Sequence, residues 1–429
     1  MPSKFSMRRL TYASKALREF LSTFKLEPTK TEKIQVSNAL KRVLAEDIIA
    51  SRDIPPFDRA ALDGYAIRAE DSFGASEYNP IRLRVIGESI IGKSFDGYVN
   101  HGEAVKIHTG APIPQGANSV IMVEFTRSFG NEIEIYRSVA PNSNISRKGE
   151  DVKAGETVIK KGIRLESFDL ALIKGLGYTE VKVRTPPKVA FFACGDELVD
   201  PHNIGELKPG KILETNREML KHLVTEWGGE PIDLGILKDD EEEIKSKFEY
   251  AIKIADIAIS IGGTSIGEHD LIPKVVTKLG SPRIVIHGVA VQPGKPVLLA
   301  NIRNKVLIGL PGYPVSTYVA ANLFLRPIIF RLLDLQGIFI PRTIKAIASS
   351  RIPSKPGLRS FIRVKLKKKN NQIFAYPISI WGAGILSSLS RADGFLVISE
   401  DKEGVEKGEE VDVILLRDFL TGVSYEENF

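Results

Sequence analysis

At 429 residues the chain exceeds what one core of ordinary size can bury, so roughly two to four domains are expected at about 150 residues each. Its 43% hydrophobic and 26% charged residues exclude wholesale disorder, and a net charge of +6 suits an anionic small molecule while falling short of a nucleic-acid-binding face. The single cysteine, Cys194, excludes a disulfide framework and a cysteine-based zinc site, and fits a reducing, cytoplasmic setting.

From Leu10 to Phe24, apolar residues recur at steps of three and four, the period of one helix face, and no apolar core of a signal peptide precedes them. A second helix is expected after Ser37. Beyond Ser51 the texture turns to prolines, glycines and short alternating runs such as IRLRVIG, EAVKIHTG, SVIMVEF and EIEIYRSV, which read as strands of a small β-rich domain over 46–149. ESFDLALIKGLG returns to helix, and the proline pair after EVKVRT suits a boundary. Residues 1–45 and 150–186 thus flank this β-rich stretch with helical and extended segments.

From Lys188 strand and helix alternate: KVAFFAC, NREMLKHLVTEWGG, PIDLGIL, DEEEIKSKFEYAIKIA, DIAISIGG. That spacing predicts right-handed crossovers and a three-layer parallel-sheet domain over 187–336. RIVIHGVAV, PVLLAN and KVLIGL add β segments before a long apolar helix from about Val315 to Leu335, with a kink at Pro327. The most apolar window, VLIGLPGYPVSTYVAANLFLRPIIF, is interrupted by Arg326 and three prolines, so no membrane span is expected. Residues 337–429 return to short strands, FIRVKL, QIFAYPI, GFLVISE and EVDVILL, as in a compact β-barrel. The basic run Lys365–Lys369, followed by Asn370 and Asn371, reads as the solvated end of a hairpin, not a nucleic-acid patch.

In an open parallel sheet, ligands sit beyond the carboxyl ends of the strands. Three loops take that position: CGDELVD after Ala193, GGTSIGEHD after Ile261 and GLPGYPVS after Ile308. Glycines admit an anion to backbone N–H groups, so Gly262, Gly263, Thr264, Ser265 and Gly267 suit a phosphate, although neither a Walker loop nor a G-x-G-x-x-G fingerprint is present. Pro311, Gly312, Pro314 and Ser316 join them as candidate cofactor-binding residues. Asp196, Glu197, Asp239, Glu268 and Asp270 fall at the same edge, and acids beside a phosphate call for magnesium. Lys295, in VQPGKPVLL, projects a cation suited to a phosphate or an oxyanion. In DIPPFDRAALDGYAIR, Asp58, Arg59 and Asp63 mark a rigid polar loop, and HTGAPIP and SRKGED repeat the theme with Thr109 and Asp151.

Taken in order, PPFDRAALDGYA, HTGAPIP, RKGED, GDEL, TNR, ISIGGTSIGEHD, PGKP and GLPGYPVS resemble the signature blocks of the molybdopterin molybdenumtransferase family, the MoeA proteins and the E domain of gephyrin. The resemblance spans essentially the whole chain. It implies a multidomain α/β protein whose sheet domain is like the smaller molybdopterin adenylyltransferases, with residues 1–45 and 150–186 forming one discontinuous helical and extended domain that serves dimerisation. It implies a magnesium-dependent enzyme that takes adenylylated molybdopterin and molybdate, or tungstate, inserts the metal and releases AMP. It further implies a homodimer with its cleft shared between subunits, and the adenylyltransferase as a partner; membrane and nucleic acid have no part. Carried over by position, Asp63, Thr109 and Asp151 would face the cleft, and Glu197, Asp239 and Asp270 would serve catalysis and magnesium. Lys295, Pro296 and Arg363 would receive molybdate. This chain departs from the family pattern at Gln292, where a lysine is frequent, at Tyr313, in place of asparagine, and at Ala383, in place of serine, for which Ser387 or Ser388 would stand in. The competing readings are an adenylyltransferase, which leaves the first 180 or so residues unexplained, and a non-catalytic scaffold; His269 reads as a loop donor.

Overall fold

The computed structural model describes residues 10–264, 271–279, 283–379 and 382–418. They fall into two units. One comprises 33–40 and 44–182; the other takes the N-terminal segment to Glu32, Lys41–Val43 and everything from Val183 onward.

Helix α1 (Ala13–Ser22) belongs to the second unit and turns Ala13, Ala16 and Phe20 inward, the face its periodicity predicts. In the first unit, strands β1 (Gly64–Ile67), β2 (Ile81–Ser89), β3 (Glu103–Ile107), β4 (Ser119–Met122), β5 (Thr126–Phe129) and β6 (Glu132–Ile135) form one sheet in the order β4-β1-β3-β2-β6-β5. All its neighbours are antiparallel except β2 and β3. Ile67, Leu83, Ile121, Ile133 and Ile135 form its core. Helix α2 (Ser167–Gly175) starts at a capping box between Glu166 and Asp169. The helix expected after Ser37 is not formed: a single 3-10 turn, Val36–Asn38, is followed within a few residues by Lys41 at φ 63°, a left-handed backbone that a helix does not accept.

In the second unit, β7 (Lys188–Cys194), α3 (Asn216–Glu226), β8 (Glu230–Leu237), α4 (Glu241–Ile254), β9 (Ile257–Ile261), α5 (Leu271–Lys278), β10 (Arg283–His287), the short β11 (Val291–Gln292), β12 (Leu298–Ile302) and β13 (Lys305–Leu310) follow one another. Six of the strands make a sheet in the order β8-β7-β9-β13-β12-β10. The first four run parallel, as expected. The last two are antiparallel, because Arg303 and Asn304, both with positive φ, close a two-residue hairpin too short for a crossover. Alternate residues of β7 feed opposite faces: Val189, Phe191 and Ala193 share a core with α3 and the long helix that runs from Pro314 to Leu332, while Ala190, Phe192 and Cys194 share one with α4 and α5. The near-continuous apolar run of KVAFFAC is the signature of a strand covered on both sides.

The long helix has three parts, α6 (Pro314–Ala320), a π segment (Ala321–Leu325) and α7 (Arg326–Leu332). Pro327, lacking an N–H, sits just after the π segment, so the chain absorbs it by widening one turn instead of breaking. Strands β14 (Thr343–Ala348), β15 (Arg359–Lys369), β16 (Gln372–Ser379), β17 (Gly394–Ile398) and β18 (Glu410–Leu415), with α8 (Ser387–Arg391) between β16 and β17, make a closed five-stranded barrel. Pairing of β15 with β17 completes the circuit. Asn370 and Asn371, with φ of 49° and 61°, make the tight turn at the basic hairpin end. Strand β11 leaves the α/β sheet and pairs parallel with β15, Val291 opposite Arg359 and Gln292 opposite Ser360, tying the sheet domain to the barrel. No helix among the described residues is long and apolar enough to cross a membrane.

Candidate active site

The carboxyl ends of β7, β8, β9 and β13 lie side by side; those of β7, β9 and β13 carry the three loops singled out in the sequence, and that of β8 leads to Asp239. After β7 and β8 the loops are tied through their acids: the Asp239 amide donates to Asp196 Oδ1 at 3.3 Å, and the Asp196 amide to Asp239 Oδ2 at 3.4 Å. Glu197 is exposed beside them. After β9, Gly262 has φ 90°, and a Cβ there would stand 2.6 Å from the Cys194 carbonyl oxygen. Only glycine lets the loop pass this close to the end of β7. Gly263 follows at φ 63°, and Thr264 is buried with its hydroxyl donating to the Leu310 carbonyl at 3.3 Å.

After β13, the Asn216 amide group holds the Gly312 carbonyl at 2.6 Å, and Thr317 Oγ1 donates to the Pro311 carbonyl at 2.6 Å. Pro314 opens α6, where its missing N–H costs nothing, and Ser316 is buried in the first turns. Asn216 itself is set by Glu214, whose carboxylate accepts from the Asn216 backbone N–H at 2.7 Å. Ser265, Gly267, Glu268, His269 and Asp270 lie outside the described residues. Among the described residues no three His, Cys, Asp or Glu side chains gather around one point. Asp239 and Glu197 remain as exposed hard-oxygen donors at the strand ends, a set that suits magnesium, which takes one or two carboxylates and completes its shell with water and phosphate oxygens.

A cavity of about 330 Å³ opens between the Val291–Pro296 loop and the barrel. Lys295, Arg363 and Lys355 line it with Pro296 and Ser316, and no carboxylate is among its described lining. Lys295 is exposed and forms no ion pair with any described residue. Arg363 is 2% exposed, donates to the Gly382 carbonyl at 3.4 Å, and burial pulls its pKa below the usual arginine range. Ser387 and Ser388 do not line the cavity; Ser388 is buried and its hydroxyl donates to the Ile385 carbonyl at 2.5 Å. Lys355 was not singled out from the sequence. Its signal was the SKPG turn, which repeats the Lys, Pro and Gly of PGKP in another order.

In the other unit, Asp63 sits directly before Gly64, where a Cβ would meet the Ile121 carbonyl oxygen at 1.9 Å. β1 therefore lies hard against β4, and Asp63 is set at its mouth. One oxygen of Asp63 accepts from the Thr109 amide at 2.7 Å and from its hydroxyl at 3.0 Å. These bonds, the amide's first, lower the Asp63 pKa. His108 stands 3.9 Å from the same oxygen and bonds Glu88 at 3.0 Å. Asp58 accepts from the Lys148 amide at 2.7 Å, joining the PPFDRA and SRKGED loops. Asp151 donates its amide to the Ile54 carbonyl at 3.1 Å while its exposed carboxylate bonds no described residue.

Glycine and acid loops at the ends of parallel strands, and a cationic cavity closed by a barrel, define a multidomain α/β enzyme that handles anionic ligands. The chain matches the MoeA N-terminal region (domain I and II) over residues 11–177, the probable molybdopterin binding domain over 190–331 and the MoeA C-terminal region (domain IV) over 345–416. It is 38% identical over 416 residues to a putative molybdopterin biosynthesis protein of Methanocaldococcus jannaschii, covering 95% of this chain and 98% of that one. With the molybdopterin molybdenumtransferase of Bacillus subtilis it shares 33% over 396 residues, 91% of this chain and 90% of the relative. The crystal structure of a molybdopterin biosynthesis moeA protein from Pyrococcus horikoshii superposes with a TM-score of 0.83 at 40% identity, covering 95% of this chain and all of that one. The chain belongs to the molybdopterin molybdenumtransferase (MoeA) family, whose enzymes serve molybdenum cofactor biosynthesis.

Proposed function

We propose that this chain inserts molybdate, or tungstate, into adenylylated molybdopterin and releases AMP, with magnesium, as a cytoplasmic homodimer supplied by a molybdopterin adenylyltransferase. The observation that carries this reading is the cation-lined cavity without a described carboxylate, in the same unit as the acid and glycine loops. A tetrahedral dianion needs positive charge and hydrogen-bond donors without competing acids, and Lys295, Arg363 and Ser316 supply both.

Gly262, Gly263 and Thr264, with Pro311, Gly312 and Pro314, give narrow turns whose backbone can approach a phosphate. Asp239 and Glu197, with Asp270 by sequence position, are proposed to hold the magnesium. When bound, that ion neutralises charge on the phosphoanhydride. Lys295 and Arg363 then fix the incoming oxyanion, and positioning and electrostatics supply most of the rate. Asp63, Thr109 and Asp151 are proposed to act on the same chemistry, Asp63 as a carboxylate kept ionised by Thr109.

The test is direct. Purified protein is mixed with adenylylated molybdopterin, magnesium and molybdate, and AMP and active cofactor are measured. Release of AMP coupled to molybdate-dependent cofactor is expected; binding without turnover would reject the enzyme reading in favour of a scaffold.

A further inference from the structure

We propose that Lys355 is a third oxyanion-binding cation of the cavity, acting from the barrel side opposite the Lys295 loop. The inference rests on the reading of this cavity as the molybdate site.

Three cations line the cavity, two of them on barrel segments and one on the sheet-domain loop. Lys295 and Arg363 alone would bring the charge of a dianion to zero, while Gln292, also in the lining, offers an amide and no charge. Lys355 adds the surplus positive charge that attracts a dianion from solution in competition with salt. Leu358, Phe361 and Ile362 form an apolar wall in the same cavity, so the hydrogen-bond donors to an oxyanion there are concentrated on the three cations and Ser316.

The turn that carries Lys355 is pinned rather than trailing. The Ser354 amide donates to the Glu403 carbonyl at 2.8 Å, the Gly357 amide to the Glu400 carbonyl at 2.7 Å, and the Leu358 amide back to the Lys355 carbonyl at 3.2 Å. Ser354 and Ser360 hydroxyls bond at 2.8 Å. Four residues after Lys355, Arg359 begins the strand segment in which Arg359 and Ser360 pair with Val291 and Gln292, so the turn and the Lys295 loop are registered on the same strand pair. The long, flexible ammonium of lysine then suits an incoming ion that must be caught before the buried guanidinium of Arg363 receives it.

The test is equilibrium dialysis of the full-length protein against molybdate, with bound metal read by elemental mass spectrometry. Lys355→Ala and Lys295→Ala are each expected to weaken binding about tenfold, equal to about 1.4 kcal/mol. Lys369→Ala, at the far hairpin end, is expected to change nothing. Gln292→Lys placed in the Lys355→Ala protein is expected to restore affinity, because a charge on the opposite wall replaces the lost one. Weakening by Lys295→Ala but not by Lys355→Ala would overturn the role of Lys355 alone. Loss at Lys355 with no rescue by Gln292→Lys would also overturn it, marking the turn as structural. If neither lysine mattered, the cavity would not be the molybdate site, and the broader reading would fall with it.

Discussion

Thr109 bonds one carboxylate oxygen of Asp63 twice, through its amide at 2.7 Å and its hydroxyl at 3.0 Å. Hydrogen bonds to the charged form favour it, so the Asp63 pKa is lowered, the amide contributing most. A depressed folded value gives stability that is present above the unfolded value of about 3.9 and lost as pH falls through the folded one. The window therefore lies below about pH 4. Thr109→Val removes the hydroxyl and keeps the amide, so the Asp63 midpoint, followed by carbon NMR, should rise only part of the way to the ordinary value. Asp63→Asn should lower cofactor formation by about 10²-fold or more, the scale of losing one preorganised charged group, while leaving the far-UV circular dichroism unchanged. Undiminished activity would remove Asp63 from the chemistry.

Arg363 is almost fully buried, and burial disfavours its charge. A buried cation kept at such a cost is better explained by an anionic ligand than by stability. Arg363→Met, close in volume and uncharged, should leave the ligand-free protein as stable or more so. In the native protein, molybdate at about 100 times its Kd should add about 2.7 kcal/mol by mass action. The variant should lose that increment, read as a missing shift in Tm. A ligand-induced shift of the same size in both proteins would place molybdate elsewhere.

Gly262 and Gly74 share φ 90° but differ in surroundings: a Cβ at Gly262 would lie 2.6 Å from the Cys194 carbonyl oxygen, whereas one at Gly74 meets nothing within 4 Å. Alanine at either position pays for the left-handed backbone, about 1 kcal/mol or somewhat more. Only Gly262→Ala must also displace the end of β7. Urea denaturation should show it losing at least about 1–2 kcal/mol more than Gly74→Ala. Equal losses would mean that the loop after β9 relaxes freely, and that its close approach to β7 is not enforced.

Much of this architecture is legible in the chain because the physics is local. KVAFFAC and DIAISIGG read as strands covered on both faces, and the period of Leu10–Phe24 marks a helix with one buried side. The loops at the strand ends follow once the strands are placed. What stayed hidden depends on contacts far apart in sequence. Nothing in VQPGKP announces that Val291 and Gln292 will pair with Arg359 and Ser360, and without that pairing Lys355 looks like any turn lysine. The antiparallel edge was missed for a smaller reason: the Arg303–Asn304 hairpin has no glycine, and Asn304 alone is a weak turn signal beside an arginine that seldom takes the left-handed backbone. The expected helix after Ser37 met the reverse case, a helical pattern with Lys41 bent out of it by the surrounding fold.

Arg217 is the hub of a network beneath the Gly312 loop. Its Nε donates to Glu214 at 3.1 Å, and its two outer nitrogens reach Asp233 at 2.7 Å and Asp200 at 2.7 Å. Glu214 is 4% exposed, and burial raises its pKa even against the bonds from the Arg217 and Asn216 amides and the Arg217 guanidinium. A carboxyl with a raised folded pKa contributes most below its unfolded value and loses that contribution as pH climbs through the folded one. The two partners are therefore unequal. Glu214→Gln removes a costly buried charge, keeps an acceptor for the Asn216 amide, and leaves Arg217 with two carboxylates, so at pH 7 it should change stability by less than about 1 kcal/mol. Arg217→Met leaves a buried carboxylate without its cation and should cost about 3–5 kcal/mol. Lowering the pH through the Glu214 value should shrink the Arg217→Met deficit, since the protonated side chain no longer needs the cation. Asn216 holds the Gly312 carbonyl, so Arg217→Met should also weaken binding of the pterin nucleotide while Glu214→Gln spares it. Equal losses from the two substitutions at pH 7 would show that Glu214 is the true anchor and that its burial is fully compensated.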